Sequence, residues 1–277
     1  VITLPPGRPV ELQGRGTTFV REVAGAGHAV LLLHGWTVSS SLNWFPVFEP
    51  LAGRYRLIAP DHRGHGQGIR SIERFSLEAC ADDAAALLEQ LGTGPAIVVG
   101  YSMGGTVAQL LWRRHPHLVR GLVLCATAGQ FLRSPGEQVY FGGLRALAGV
   151  SRRTPVRTRQ AVADWLIGRR VEDPWVAEEL RAHDALALVE AGAAIGAFDA
   201  TGWLPDIDVP TAVIAHELDT VVPTRRQLEL ARHIPFAELH RVVAGHDAVA
   251  ADPDYPDVLR RALDSVDARA QNRTSAT

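Results

Sequence analysis

Ser102 sits in Gly100-Tyr101-Ser102-Met103-Gly104, a G-x-S-x-G pattern whose small flanking residues permit a tight turn. An apolar, mostly β-branched run, Ala96 to Val99, leads into it. An amphipathic helical pattern with Val107, Leu110, Leu111 and His115 follows. Strand, sharp turn and helix in that order expose a serine oxygen at the tip. A serine hydroxyl becomes a nucleophile when an adjacent base takes its proton, and a buried carboxylate commonly orients that base. Of the 11 histidines, His246 follows the last expected strand in a Gly-His turn. Asp219, Glu217 and Asp247 are the acids in reach of such a site.

The elements that must position these residues can be read in order. Residues 9–24, with Gly14 and Gly16, form an N-terminal β-hairpin. Ala29 to Leu33 is short and continuously apolar, as a buried parallel strand is, and ends in His34-Gly35-Trp36. A helix over 43–53 and a strand from Tyr55 to Ala59 lead to the glycine-rich turn Pro60-Asp61-His62-Arg63-Gly64-His65-Gly66. Helical spacing over 76–91 stops at Gly92-Thr93-Gly94, and Leu122 to Cys125 is a further strand. From Val209 the alternation resumes: a strand at 210–215, a helix at 224–233, a strand at 238–243 and a helix near 255–267. Repeated strand–helix units with short connections predict a parallel α/β sheet with helices on both faces. The loops beyond its carboxyl ends then meet at one edge.

Residues 130–205 differ in character. Strand-like runs vanish, and arginines gather among helical patterns at 161–167 and 176–188. The expected organisation is a core over 1–129, a helical cap inserted at 130–205, the rest of the core over 206–270, and a flexible tail at 271–277. The arginines of the insertion read as a solvated face.

Five features together resemble the α/β-hydrolase fold, in particular its single-chain serine esterase and haloperoxidase-like group. They are His34-Gly35 after a strand, Asp61-His-Arg-Gly-His-Gly, Gly100-Tyr-Ser-Met-Gly-Gly, Asp219-Thr-Val-Val-Pro and Gly245-His246. The resemblance covers nearly the whole chain. It implies a mostly parallel, eight-stranded type of sheet with an inserted cap, and a triad in the order Ser102, Asp219, His246. It also implies an oxyanion hole built from the backbone N–H groups of Trp36 and Met103, with His34 bracing that loop and Asp61, Arg63 and Gly64 fixing a turn. One departure stands out. The family has a glycine a few residues before the acid, whereas this chain runs Ala215-His216-Glu217-Leu218-Asp219.

The resemblance implies a carboxylesterase acting on small to medium esters through an acyl-enzyme. The same triad serves lactonases, carbon–carbon bond hydrolases, thioesterases and cofactor-free perhydrolases. A small-molecule receptor on this fold is the alternative from another class. Relatives with an aspartate nucleophile are disfavoured because the elbow holds Ser102. Phe131, Tyr140, Phe141, Trp165 and Phe198 either line the substrate pocket or pack the cap onto the core.

Composition sets further bounds. A chain of 277 residues with 47% hydrophobic residues can bury a full core, and a net charge of −2 points to neither nucleic acid nor an anionic membrane as partner. The absence of lysine excludes lysine Schiff bases, Ser–Lys dyads and a P-loop. Cys80 and Cys125 make no disulfide framework. No His-Glu-x-x-His or Cys-x-x-Cys cluster calls for a metal, and the expected chemistry needs no cofactor. No apolar run reaches the roughly 20 residues of a membrane span. Pro5-Pro6 falls where a signal peptide would be apolar, so a cytoplasmic location is expected, and the sequon Asn272-Arg273-Thr274 is discounted.

Overall fold

A computed structural model describes residues 3–274. Eight strands form one sheet: β1 (Gly7–Leu12), β2 (Gly16–Val23), β3 (Ala29–Leu33), β4 (Arg56–Pro60), β5 (Ala96–Tyr101), β6 (Val119–Cys125), β7 (Thr211–His216) and β8 (Glu238–Val242). Their order is β1-β2-β4-β3-β5-β6-β7-β8. The β1–β2 hairpin is antiparallel, and β2 joins β4 antiparallel, while every pairing from β4 to β8 is parallel.

The strand period of two divides the core. Leu31, Leu33, Val98, Leu122, Leu124 and Val213 point to one face. There they meet α2 (Leu77–Gln90), α3 (Met103–Arg114) and α8 (Thr224–His233). Val30, Leu32, Ile97, Val99, Val123, Cys125, Ala212 and Ile214 point to the other. That face is covered by α1 (Ser40–Leu51) and α10 (Tyr255–Thr274). The central strands are buried on both faces, which is why they read as unbroken apolar runs.

Between β6 and β7 stand four helices: α4 (Pro135–Arg153), α5 (Val156–Arg170), α6 (Pro174–Arg181) and α7 (Ala185–Ala197). The helical pattern over 176–188 is two helices rather than one. Asp184 ends the run because its carboxylate caps α7, accepting from Leu186 N at 2.8 Å and Ala187 N at 3.1 Å. α10 likewise outruns the expected 255–267 and takes in most of the expected tail. Leu259, Ala262, Leu263, Val266 and Ala270 continue its buried stripe, and residues 275–277 lie outside the described residues. A short α9 (Ala248–Ala251) follows β8. Among the described residues, no helix is long and apolar enough to cross a membrane.

Candidate active site

The carboxyl ends of β3, β5, β7 and β8 deliver the residues singled out in the sequence. Ser102 follows β5 with φ +52°, a left-handed conformation costly for any residue with a Cβ. The two glycines of the motif make that turn possible by lacking side chains. A Cβ on Gly100 would lie 2.4 Å from Gly104 O, and one on Gly104 would lie 2.1 Å from Leu33 O. Ser102 N donates to Cys125 O at 2.9 Å, and Thr127 Oγ1 donates to Ser102 O at 2.8 Å, so the strained residue is held on both sides. Met103 opens α3, which puts its N–H among the helix's unpaired terminal donors, at the positive end of the dipole.

His246, in the loop after β8, turns its Nε2 to Ser102 Oγ at 3.0 Å and its Nδ1 to Asp219 Oδ2 at 2.8 Å. The carboxylate side chain of Asp219 is fully buried. Its Oδ1 accepts from Val221 N and Val222 N, both at 2.9 Å, and its Oδ2 also accepts from Gln227 Nε2 at 3.0 Å. Three donors beside the imidazole satisfy a buried anion that would otherwise be costly. Glu217, a competing acid, instead pairs with Arg241 at 3.1 Å in an exposed contact, and Asp247 stands at the start of α9.

Trp36 follows β3 in a turn whose next residue, Thr37, has φ +65°. Asn43 Oδ1 holds Gly35 N at 2.9 Å. The Trp36 indole reaches into the helical segment, where Nε1 donates to Leu188 O at 2.8 Å and the ring packs against Gly192 of α7. His34 lies beneath this loop. Its Nε2 accepts from His62 N at 2.9 Å and its Nδ1 donates to Gly35 O at 2.8 Å. It therefore braces the loop and takes no part in the Ser102 relay. Asp61 ties its turn together through Ser40 N and Gln67 N, each at 2.8 Å, and Arg63 forms a buried bidentate pair with Asp83.

Four imidazoles, His34, His62, His65 and His183, cluster under the loop with ring centroids 4.3 to 5.5 Å apart. His183 lies between α6 and α7, and its Nδ1 accepts from Gly66 N at 2.7 Å. Burial drives His34, His65 and His183 down to about 3, and His62 well below its ordinary value. All four are neutral at ordinary pH. Burial also pushes the Cys125 thiol up to about 12 and raises that of Cys80, so both free cysteines stay protonated.

The five aromatic candidates divide between packed and exposed positions. Phe131 and Phe198 pack in the core with ring centroids 6.5 Å apart, and Phe198 also meets Trp203. Phe141 is wedged against Gly196 of α7, while Tyr140 and Trp165 are exposed. Two residues that motif reading passes over stand closer to the relay. Gln227 links Asp219 to Val222 O at 2.7 Å and to His216 N at 2.9 Å. Tyr101, the variable position before the serine, donates to His246 O at 2.5 Å. A polar residue on the apolar side of the 224–233 helix was the available sign for Gln227.

With the geometry in place, comparison with known proteins is informative. A family model described as alpha/beta hydrolase fold matches residues 28–253. A putative carbamate hydrolase, RutD, of Azorhizobium caulinodans is 30% identical over 249 residues, covering 87% of this chain and 92% of the relative. The AB hydrolase superfamily protein YisY of Bacillus subtilis is 28% identical over 245 residues, covering 84% and 89%. Among solved structures, a thermophilic esterase from Thermogutta terrifontis matches with TM-score 0.74 and 27% identity, covering 94% of this chain and 99% of that one.

Proposed function

The chain belongs to the alpha/beta hydrolase fold family, and from that premise we propose that it is a serine carboxylesterase acting on small to medium esters. The carrying observation is the continuous relay of Ser102 Oγ, His246 and Asp219, at 3.0 and 2.8 Å. Ser102 attacks the acyl carbonyl as His246 Nε2 takes its proton, and Asp219 stabilises the imidazolium. The backbone N–H groups of Met103 and Trp36 receive the negative charge that develops on the carbonyl oxygen. Collapse of the tetrahedral intermediate expels the alcohol, which takes the proton from His246, and leaves an acyl-enzyme. Water enters, gives its proton to the same imidazole and attacks the acyl carbon. The acid leaves and Ser102 is regenerated.

Residues 130–205 serve in this proposal as a cap, supported by the indole of Trp36 reaching from the oxyanion loop to Leu188 and Gly192. The proposal carries a cytoplasmic location, for which the two unpaired cysteines speak. A carbamate is a second acyl substrate open to the same attack, and the likeness to a putative carbamate hydrolase favours including it. The test is Ser102→Ala against a series of p-nitrophenyl esters. Turnover should fall by about 10⁶-fold with the fold intact. Retention of most of the activity would sink the proposal.

A further inference from the structure

We infer that Tyr101 and His216 are positioning residues for the His246 imidazole, holding its turn by donating to two successive carbonyls, those of His246 and Gly245. This rests on the proposed role of His246 as the base. Tyr101 ends β5 and His216 ends β7, so two neighbouring strand ends approach the same turn. The Tyr101 hydroxyl donates to His246 O at 2.5 Å, and His216 Nδ1 donates to Gly245 O at 2.9 Å. Backbone bonds tie the two edges of the turn, from Glu217 N to Val242 O at 2.9 Å, from Leu218 N to Ala244 O at 3.1 Å and from Ala250 N to Asp247 O at 2.9 Å, while at its centre Gly245 O also receives a long bond from Ala248 N at 3.3 Å. Val243, just before it, is exposed. The two side-chain donors thus hold the centre of the turn, where the imidazole must stay aligned with both Ser102 and Asp219.

Both donors are fixed in turn. Tyr101 and His216 are buried, with their rings 5.6 Å apart, and Tyr255 lies 6.2 Å from the first and 5.6 Å from the second. Trp44 meets Tyr101 edge-on at 6.1 Å. Gln227 Oε1 accepts from His216 N at 2.9 Å, and Thr224 Oγ1 donates to His216 O at 2.7 Å.

The protonation states agree with the geometry. A carbonyl only accepts, so the proton of His216 sits on Nδ1, and its buried Nε2 has no partner among the described residues. Burial lowers this imidazole's pKa, with His246 adding to the effect and the facing carboxylates of Asp219 and Asp247 opposing it. Burial raises the Tyr101 hydroxyl far above its ordinary value, which keeps it a donor. His216 occupies the stretch before Asp219 where the family resemblance implies a glycine. The departure therefore has a use in this chain.

The experiment compares wild type, Tyr101→Phe, His216→Phe and His216→Asn. The asparagine amide can offer a donor near the place of Nδ1, while phenylalanine keeps a ring and offers none. The readouts are kcat and KM on a p-nitrophenyl ester, and the low-field NMR signal of the proton between His246 Nδ1 and Asp219. Tyr101→Phe and His216→Phe are each expected to lower kcat about tenfold with KM nearly unchanged, as slight misplacement of a catalytic group does. Both should broaden the low-field signal by faster exchange, and His216→Asn should recover most of kcat and the signal. Unchanged kcat and an unchanged signal in the two phenylalanine variants would overturn the inference. So would a rise in KM alone, because that marks a substrate contact. If wild type turns over no ester, the esterase proposal fails, and the NMR signal by itself still decides whether these side chains hold His246.

Discussion

The sheet core and the four-helix segment between β6 and β7 are built in opposite ways. In the core, strands β3, β5 and β7 are buried at every residue, and the fully buried Asp219 carboxylate of the Ser102 relay is held by the buried Val222 N–H and Gln227 amide. In the segment, α4 and α5 bury no residue fully, and Val139, Val150, Val162 and Trp165 are exposed. Apolar and polar contacts both join the two: Ala191 and Ile195 of α7 lie in the same buried cluster as one face of the sheet, and a set of discrete bonds is added to them. Arg152 of α4 pairs with Glu190 of α7, whose other carboxylate oxygen accepts from Phe75 N at 2.9 Å. Arg226 of α8 pairs with Glu137 of α4 at 2.6 Å, Ser39 bonds Glu179 of α6, and His183 accepts from Gly66 N. Packed interiors tolerate little change, whereas the exposed faces of α4 and α5 are open to it. The proposed chemistry thus sits at the ends of strands that are buried throughout.

The strongest way to probe the core is to alter the group with the most partners. Asp219→Asn keeps the shape but cannot hold the imidazole in the same tautomer, and kcat should fall by about 10⁴-fold while KM and the urea midpoint move little. Steady-state kinetics on one ester checks this. A loss below tenfold would mean that the buried carboxylate is structural.

The junction between the two regions should fail in acid. His34 Nε2 and His183 Nδ1 accept backbone hydrogens, which requires neutral rings. Their folded pKa values, like that of His65, lie near 3 because burial penalises the charge. An unfolded histidine titrates near 6.5, so the unfolded state binds more protons between those two values. The stability these neutral rings retain is complete above about pH 6.5 and is lost as pH falls toward 3. Two pH units below 6.5, the upper bound is about 2.7 kcal/mol for each ring. Urea unfolding of wild type and of His183→Asn across pH 4.5 to 8 checks this, the variant being expected to lose part of the pH dependence. A flat profile there would show that the cluster is solvated.

Trp36 lets the comparison be sharpened further, since its backbone serves the core and its indole serves the segment. Trp36→Phe removes the bond to Leu188 O and should cost about 1 kcal/mol in urea unfolding. If the segment also steadies the oxyanion loop, kcat falls by up to about tenfold, uniformly across acyl lengths. An effect on KM that changes with acyl length would place the indole in the substrate pocket instead.

Much of this contrast was legible in the chain itself. The apolar runs of β3, β5 and β7 lead into His34-Gly35, Gly100 to Gly104 and Asp219 to Pro223, and Gly245-His246 follows the more polar β8. Strand ends and site residues therefore announced each other, and the structure brings Ser102, Asp219 and His246 together. Gln227, Tyr101 and His216 carried weaker signals, a polar residue on an apolar helix side, a variable motif position and a departure from the family's glycine, because their value lies in which atom they meet across the fold. The break at Asp184 was hidden for a local reason. Apolar spacing continues through it, and a capping carboxylate reads in sequence as one more polar position on a helix. The aromatic residues of the segment stayed undivided between lining and packing, because large rings near a cleft and large rings in a core look alike without coordinates.

The smallest expected effect tests the segment's freedom most directly. Trp165 is 58% exposed on α5, and Arg169 stacks over its ring at 4.9 Å. An exposed cation–ring pair contributes roughly 0.5–1 kcal/mol at best, and a surface change elsewhere stays within about 0.5 kcal/mol. Trp165→Ser should therefore shift the urea midpoint only slightly and leave kcat on short esters unchanged, which separates the outer face of the segment from the chemistry. A substantial rise in KM for long acyl chains, with stability held, would assign this ring to substrate after all. A large fall in stability would mean instead that α5 is packed as tightly as the sheet, and the contrast between the two regions would not stand.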